Sequence, residues 1–236
     1  MNVLVIGASG GIGSAIVDVL LQRYPEATIY ATYHQHPPAD QKHERVHWFL
    51  LDVTNAEEIE ILSQQFDALD WLINCVGMLH SVSMGPEKSL QAVDAYFFQH
   101  NIAVNTLPTL LLAKSFTPIL KLSSQPKFAV LSARVGSITD NQLGGWYSYR
   151  ASKAALNMII KTMSIEWRRS VKKGTVLALH PGTTDTELSK PFQHNVPEGK
   201  LFPTGKVAKM LIDIIERSTD IQSGAFMSYD GQILEW

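Results

Sequence analysis

Val3-Leu4-Val5-Ile6-Gly7-Ala8-Ser9-Gly10-Gly11-Ile12-Gly13 decides the fold. Four apolar residues in a row read as a short strand buried on both faces, the kind found inside a parallel sheet. The glycines that follow allow a tight turn. The run Ile16, Val17, Val19, Leu20 and Leu21 then supplies the apolar face of a helix that ends near Tyr24-Pro25. In a strand–turn–helix unit, glycines spaced Gly7-x-x-x-Gly11-x-Gly13 let backbone approach a pyrophosphate lying at the helix N-terminus. Gly7, Ser9, Gly11, Ile12 and Gly13 are therefore expected to hold a dinucleotide.

The same alternation continues along the chain. Strands are expected at 27–33, 45–51, 69–73, 127–132, 175–179 and 225–229. Helices are expected from Thr54, as cap, to Phe66, from 90 to 122 with breaks or kinks at Pro108 and Pro118, from 147 to 170, and from Thr204 or Gly205 to Arg217. The segment 34–44, with Pro37-Pro38, reads as a loop, and 186–203 as a mobile lid. Alternating strand and helix predicts an α/β fold, a Rossmann-type three-layer α/β/α sandwich around a mostly seven-stranded parallel sheet. One domain spans 1–236.

Bulk properties fit that expectation. Apolar residues make up 45% and charged residues 18% of the 236, with a net charge of −2. Neither a nucleic-acid partner, which calls for a markedly basic surface, nor a membrane span of about 20 apolar residues is expected. The N-terminus lacks the basic region of a signal peptide. Cys75, the only cysteine, excludes an intramolecular disulfide or a cysteine-rich metal site. A cytoplasmic setting and no metal are expected.

In such sheets ligands bind beyond the strand carboxyl ends. Asp52 and Val53 end strand three, where an adenine can lie. Asn74 and Gly77 follow strand four, where an amide can pin backbone and a glycine can admit a ribose. Strand two ends Thr32-Tyr33-His34-Gln35 with no acid for a ribose 2′-hydroxyl, so NADP(H) is expected over NAD(H), with His34, Thr32 or Ser9 near its phosphate. Tyr149 and Lys153 stand one helical turn apart on one face. A nearby ammonium favours phenolate, so the pair suits proton exchange with a substrate oxygen.

These motifs, with Asn74-Cys75-Val76-Gly77, Asn105 and Pro181-Gly182, resemble the short-chain dehydrogenase/reductase family from end to end. Gly-Pro-Glu-Lys-Ser-Leu at 85–90, Gly-Gly-Trp-Tyr-Ser-Tyr-Arg-Ala-Ser-Lys at 144–153 and the Trp-ended tail look like its C-factor and sniffer-type carbonyl reductase branch. The resemblance implies that Tyr149 is the general acid/base. Lys153 would lower its pKa and bind the nicotinamide ribose. Asn105, preferred over Asn101, would hold a water beside Lys153. Pro181 and Gly182 would begin a cofactor-binding loop after strand six, in which the Thr184 backbone and the Thr186 hydroxyl would meet the carboxamide. It also implies a homodimer or homotetramer through the long helices, with Ala154, Ala155, Leu156, Met158 and Ile159 as candidate contacts.

One position departs from the family. Strand five usually ends in two serines, the second holding the substrate carbonyl. Here that position is Ala133, within Leu131-Ser132-Ala133-Arg134-Val135-Gly136-Ser137. Ser132 can serve after a backbone shift, Ser137 can reach in from the loop, or no serine serves. Leu143, Trp146, Leu188, Phe192 and Phe202 suggest an apolar carbonyl substrate, with Lys190, His194 and Lys200 solvated. The expected activity is NADPH-dependent reduction of an apolar aldehyde or ketone. The alternatives are a cofactor-binding signalling or regulatory protein with little catalysis, and a 3-oxoacyl-thioester reductase.

Overall fold

The computed structural model describes residues 1–38 and 43–236; the middle of the expected loop 34–44 lies outside them. Seven parallel strands form one sheet in the order β3-β2-β1-β4-β5-β6-β9. They are β1 Asn2–Ile6, β2 Thr28–Tyr33, β3 Val46–Leu50, β4 Trp71–Asn74, β5 Lys127–Leu131, β6 Thr175–His180 and β9 Ala225–Ser228. The order reverses direction at β1, between β2 and β4, which is the switch point where a crevice opens. A separate parallel pair, β7 Thr183–Thr184 and β8 Leu201–Phe202, closes the segment expected to be a lid.

Alternation of side chains along the buried strands splits the core in two. Val3, Val5, Ile73, Ala129 and Leu179 pack under α1 Gly11–Arg23 and α6 Thr204–Arg217. Leu4, Ile6, Leu72, Val130 and Ala178 pack under α2 Ala56–Ser63, α4 Leu107–Leu120 and α5 Tyr147–Ser170.

Three boundaries differ from expectation. Asn55, not Thr54, caps α2: its Oδ1 accepts from the backbone of Glu57 and Glu58, while Thr54 donates to Asp52. The helix ends at Ser63 rather than Phe66. The long helix expected from 90 is instead a 3₁₀ turn at Leu90–Ala92, then α3 Ala95–Asn105 capped by Asp94, then α4. Pro108 sits in the first turn of α4, where a missing N–H costs nothing. Pro118 falls in its last turn and does not end it. On α5, Leu156 faces the core, whereas Met158 is exposed.

Candidate active site

The turn between β1 and α1 is built on close approach. Gly7 has φ +72°, and a Cβ there would stand 2.9 Å from Val76 Cγ2. A Cβ on Gly13 would lie 2.3 Å from the Gly7 carbonyl oxygen, so the loop folds on itself only without side chains. Beyond it lies a cavity of about 460 Å³, lined by Gly7, Ser9, His34, Asp52, Val53 and Gly77 among others. The adenosine end of a dinucleotide fits this cradle: it is glycine-floored and open at the switch point.

Several of the expected residues are also held by local bonds. Thr32, Ser9 and exposed His34 all line the cavity; Thr32 is buried, and its Oγ1 accepts from the Gly7 N–H at 2.9 Å. Asp52 uses Oδ1 to accept from the Thr54 N–H and hydroxyl, and these bonds hold its pKa below the usual carboxylate value. Asn74 is buried, accepting from the Val76 N–H and donating to Thr109, so it shapes the cavity through the backbone it pins.

A second cavity, of about 330 Å³, lies at the other end. Ile12, Ser132, Ala133, Tyr149, Pro181, Gly182, Thr184 and Thr186 line it, and Leu79, Trp146, Leu188 and Phe192 give it an apolar wall. Of the residues expected to meet substrate, Trp146, Leu188 and Phe192 are present. Leu143 is exposed elsewhere, and Phe202 instead packs on Tyr229 and under Gly182. Thr186 also touches the glycine turn: a Cβ on Gly11 would stand 2.9 Å from its Cγ2. Met78 lines the first cavity and Leu79 the second, so the two are neighbours along the strand ends.

Tyr149 and Lys153 lie where the helix spacing placed them. Lys153 Nζ stands 5.9 Å from the Tyr149 ring centroid and donates to the Leu131 carbonyl at 3.0 Å. The expected lowering of the phenol pKa does not hold in the protein alone. Burial raises Tyr149 above its ordinary value and lowers Lys153 to about 8. Desolvation disfavours both charged forms and here outweighs their attraction.

Asn105 joins three elements. Its Oδ1 accepts from the Met78 N–H at 2.6 Å, and its Nδ2 donates to the Met78 carbonyl, to Asn101 and to Ser152 on α5. A Cβ on Gly77 would lie 3.4 Å from Lys153 Nζ and 3.7 Å from Asn105 Oδ1, so that glycine keeps both residues close to the β4 loop.

Ser132 donates to Asn157 Oδ1 at 2.6 Å, in the interior beneath α5. The backbone at Ala133 is extended, with φ −147° and ψ 146°, and shows no shift that would exchange the two residues. Ser137 is buried and accepts from the Asp140 N–H.

Two residues escaped the sequence. Glu87 is buried and accepts from the N–H and hydroxyl of Ser148, in the first turn of α5. Its only sequence signal was membership of the 85–90 phrase. His180 lines the second cavity, and its Nδ1 accepts from the Arg134 N–H at 3.3 Å. No motif flagged it.

A glycine-floored dinucleotide crevice, with a Tyr–Lys pair at its far end, defines a nicotinamide-dependent oxidoreductase of Rossmann type. The short chain dehydrogenase family profile matches residues 1–197, and the chain belongs to that family. It is 32% identical over 192 residues to 1-hydroxy-2-glutathionyl-2-methyl-3-butene dehydrogenase of Rhodococcus sp. strain AD45, covering 79% of this chain and 78% of the relative. It is 30% identical over 169 residues to C-signal of Myxococcus xanthus, covering 71% and 93%. The NADPH-bound carbonyl reductase from chicken fatty liver superposes with a TM-score of 0.87 at 25% identity, covering 100% of this chain and 94% of the other. Among the described residues, no helix is long and apolar enough to cross a membrane.

Proposed function

We propose that the protein reduces an apolar aldehyde or ketone with NADPH, Tyr149 serving as the general acid. The observation that carries this reading is the shared cavity: Tyr149 and the Pro181–Thr186 segment line one space whose wall is mostly apolar, with Leu79, Val135, Trp146, Leu188, Phe192 and Val196 beside the polar Arg134, His180 and Asn195. When bound, the reduced nicotinamide supplies the hydrogen and electron pair taken up by the carbonyl carbon. Tyr149 gives its phenolic proton to the oxygen as negative charge develops there. Lys153, held at the Leu131 carbonyl, steadies the phenolate left behind and binds the ribose. Asn105 fixes the loop and helix that flank Lys153.

Preference for NADPH is supported by the end of β2, where Tyr33 and His34 stand in place of an acid. The NADPH named in the chicken carbonyl reductase structure agrees with it. A panel of aldehydes, ketones, quinones and diketones with NADPH or NADH tests the reading. Oxidation of NADPH, with at least one apolar carbonyl preferred over its charged analogues, is expected. Tight NADPH binding with no turnover across the panel would instead favour a cofactor-binding regulatory protein, the reading that the likeness to C-signal supports.

A further inference from the structure

The family's second serine is Ala133 here, Ser132 donates to Asn157, and Ser137 lies among its own loop bonds. Of the serines that line the second cavity, Ser132 and Ser189 both donate their hydroxyl protons within the protein, Ser189 to the Thr184 carbonyl, and Ser137 does not line it. We propose that His180 Nε2–H donates a hydrogen bond to the substrate carbonyl in place of the missing serine. This rests on the carbonyl-reductase reading above.

The backbone brings His180 to the right place. β5 and β6 run side by side with Leu131 opposite Leu179, and the Ser132 N–H donates to the Leu179 carbonyl at 2.8 Å. His180 is the next residue on β6, so it flanks the strand end where the serine is absent. Its Nδ1 accepts from the Arg134 N–H, one residue beyond Ala133. His180, Ala133 and Tyr149 line the same cavity.

The tautomer follows from that bond. A neutral imidazole has one donor and one acceptor nitrogen. With Nδ1 accepting, the ring proton sits on Nε2, and no group among the described residues accepts from it. The ring also stays neutral: burial first, then the charge of Arg134, lower its pKa to about 4. A neutral N–H stabilises negative charge on the oxygen without giving up its proton, so it does not compete with Tyr149. The proton that completes the alcohol comes from Tyr149, and no bond to His180 forms or breaks. The rigid backbone contact at Nδ1 holds the ring before substrate arrives, which is what makes such a donor effective.

Three variants test the assignment against the best substrate of the panel. His180→Phe fills the space without a donor and is expected to lower kcat/KM by about 10²–10³-fold, mostly through kcat. His180→Gln, whose amide N–H reaches the Nε2 position, should retain activity within about tenfold of the native enzyme. Ala133→Ser added to His180→Phe should recover at least about tenfold, because it restores a donor from the other strand. NADPH affinity, read by quenching of protein fluorescence, should be unchanged in all three. A His180→Phe enzyme within about threefold of native kcat/KM, or a His180→Gln enzyme as poor as His180→Phe with native melting temperature, overturns the inference. Should His180→Phe not fold, the Gln variant alone decides. If the native protein reduces no carbonyl at all, the reductase reading falls first and this inference with it.

Discussion

Glu87 reaches across 61 residues of sequence to hold Ser148, accepting from both its backbone N–H and its hydroxyl. The bond lies at the start of α5, whose preceding residue, Trp146, has a left-handed backbone at φ 52° and offers no side-chain cap. A helix N-terminus leaves N–H groups without partners, and it favours negative charge. The loop carboxylate meets both needs, one residue before Tyr149.

Removing that carboxylate is expected to loosen the helix start. Glu87→Ala strands a buried N–H and a hydroxyl, so it should cost about 2–4 kcal/mol in urea denaturation. Glu87→Gln keeps one acceptor and should cost about half as much. In both variants kcat should fall more than NADPH affinity, since the disturbed turn carries Trp146 and Tyr149 rather than the glycine loop. A Glu87→Ala protein as stable as native would show that solvent or Ser148 itself caps the helix.

Tyr149→Phe is expected to abolish turnover while sparing the fold. The phenol hydroxyl opens to the cavity and has no partner among the described residues, so its removal orphans nothing. Stability should stay within about 0.5 kcal/mol. The rate should drop by about 10²–10⁴-fold, the usual contribution of a positioned acid. Native-like turnover would exclude Tyr149 as the acid, and calorimetry of NADPH binding would separate that result from a loss of cofactor.

Stability should depend on pH through His180. Its folded pKa is about 4 against an ordinary 6.5, so between those values the unfolded chain binds more protons. Stability therefore rises with pH across that window and is lost on acidification, by up to on the order of 3 kcal/mol. Lys153, lowered to about 8 from 10.5, adds a second rise over its own window. Urea midpoints from about pH 4 to about pH 11 measure both limbs. His180→Gln should flatten the acid limb and leave the alkaline one; an unchanged acid limb would place the titration elsewhere.

Much of this architecture was legible in local sequence. The β1 run, the glycine turn and the 147–170 and 204–217 helices are encoded by residues that touch their near neighbours, and their bounds fell where the pattern put them. Asn105 and Asn101, by contrast, are both buried and bonded to each other, so burial does not separate them. What stayed hidden depends on distant partners. Nothing near Glu87 announces Ser148, and nothing near His180 announces the Arg134 N–H. Thr54 and Asn55 are both good caps, and only three-dimensional placement gives the role to Asn55. The Tyr149 shift was misjudged for a related reason: sequence shows the charge that attracts but not the burial that opposes it.

The short clasp between β7 and β8 has a corollary for the segment it closes. Thr183–Thr184 and Leu201–Phe202 are joined by backbone pairing, reinforced by the Asp185 N–H on the Phe202 carbonyl. Neither bond depends on the side chains carried in between. The arc that supplies Leu188 and Phe192 to the cavity is therefore anchored at both feet by backbone pairing, whatever side chains it carries. Loop length adds little to the cost of closing such an arc. Substitutions within the arc can therefore reshape this cavity wall while the glycine turn and the Tyr149 helix keep their places.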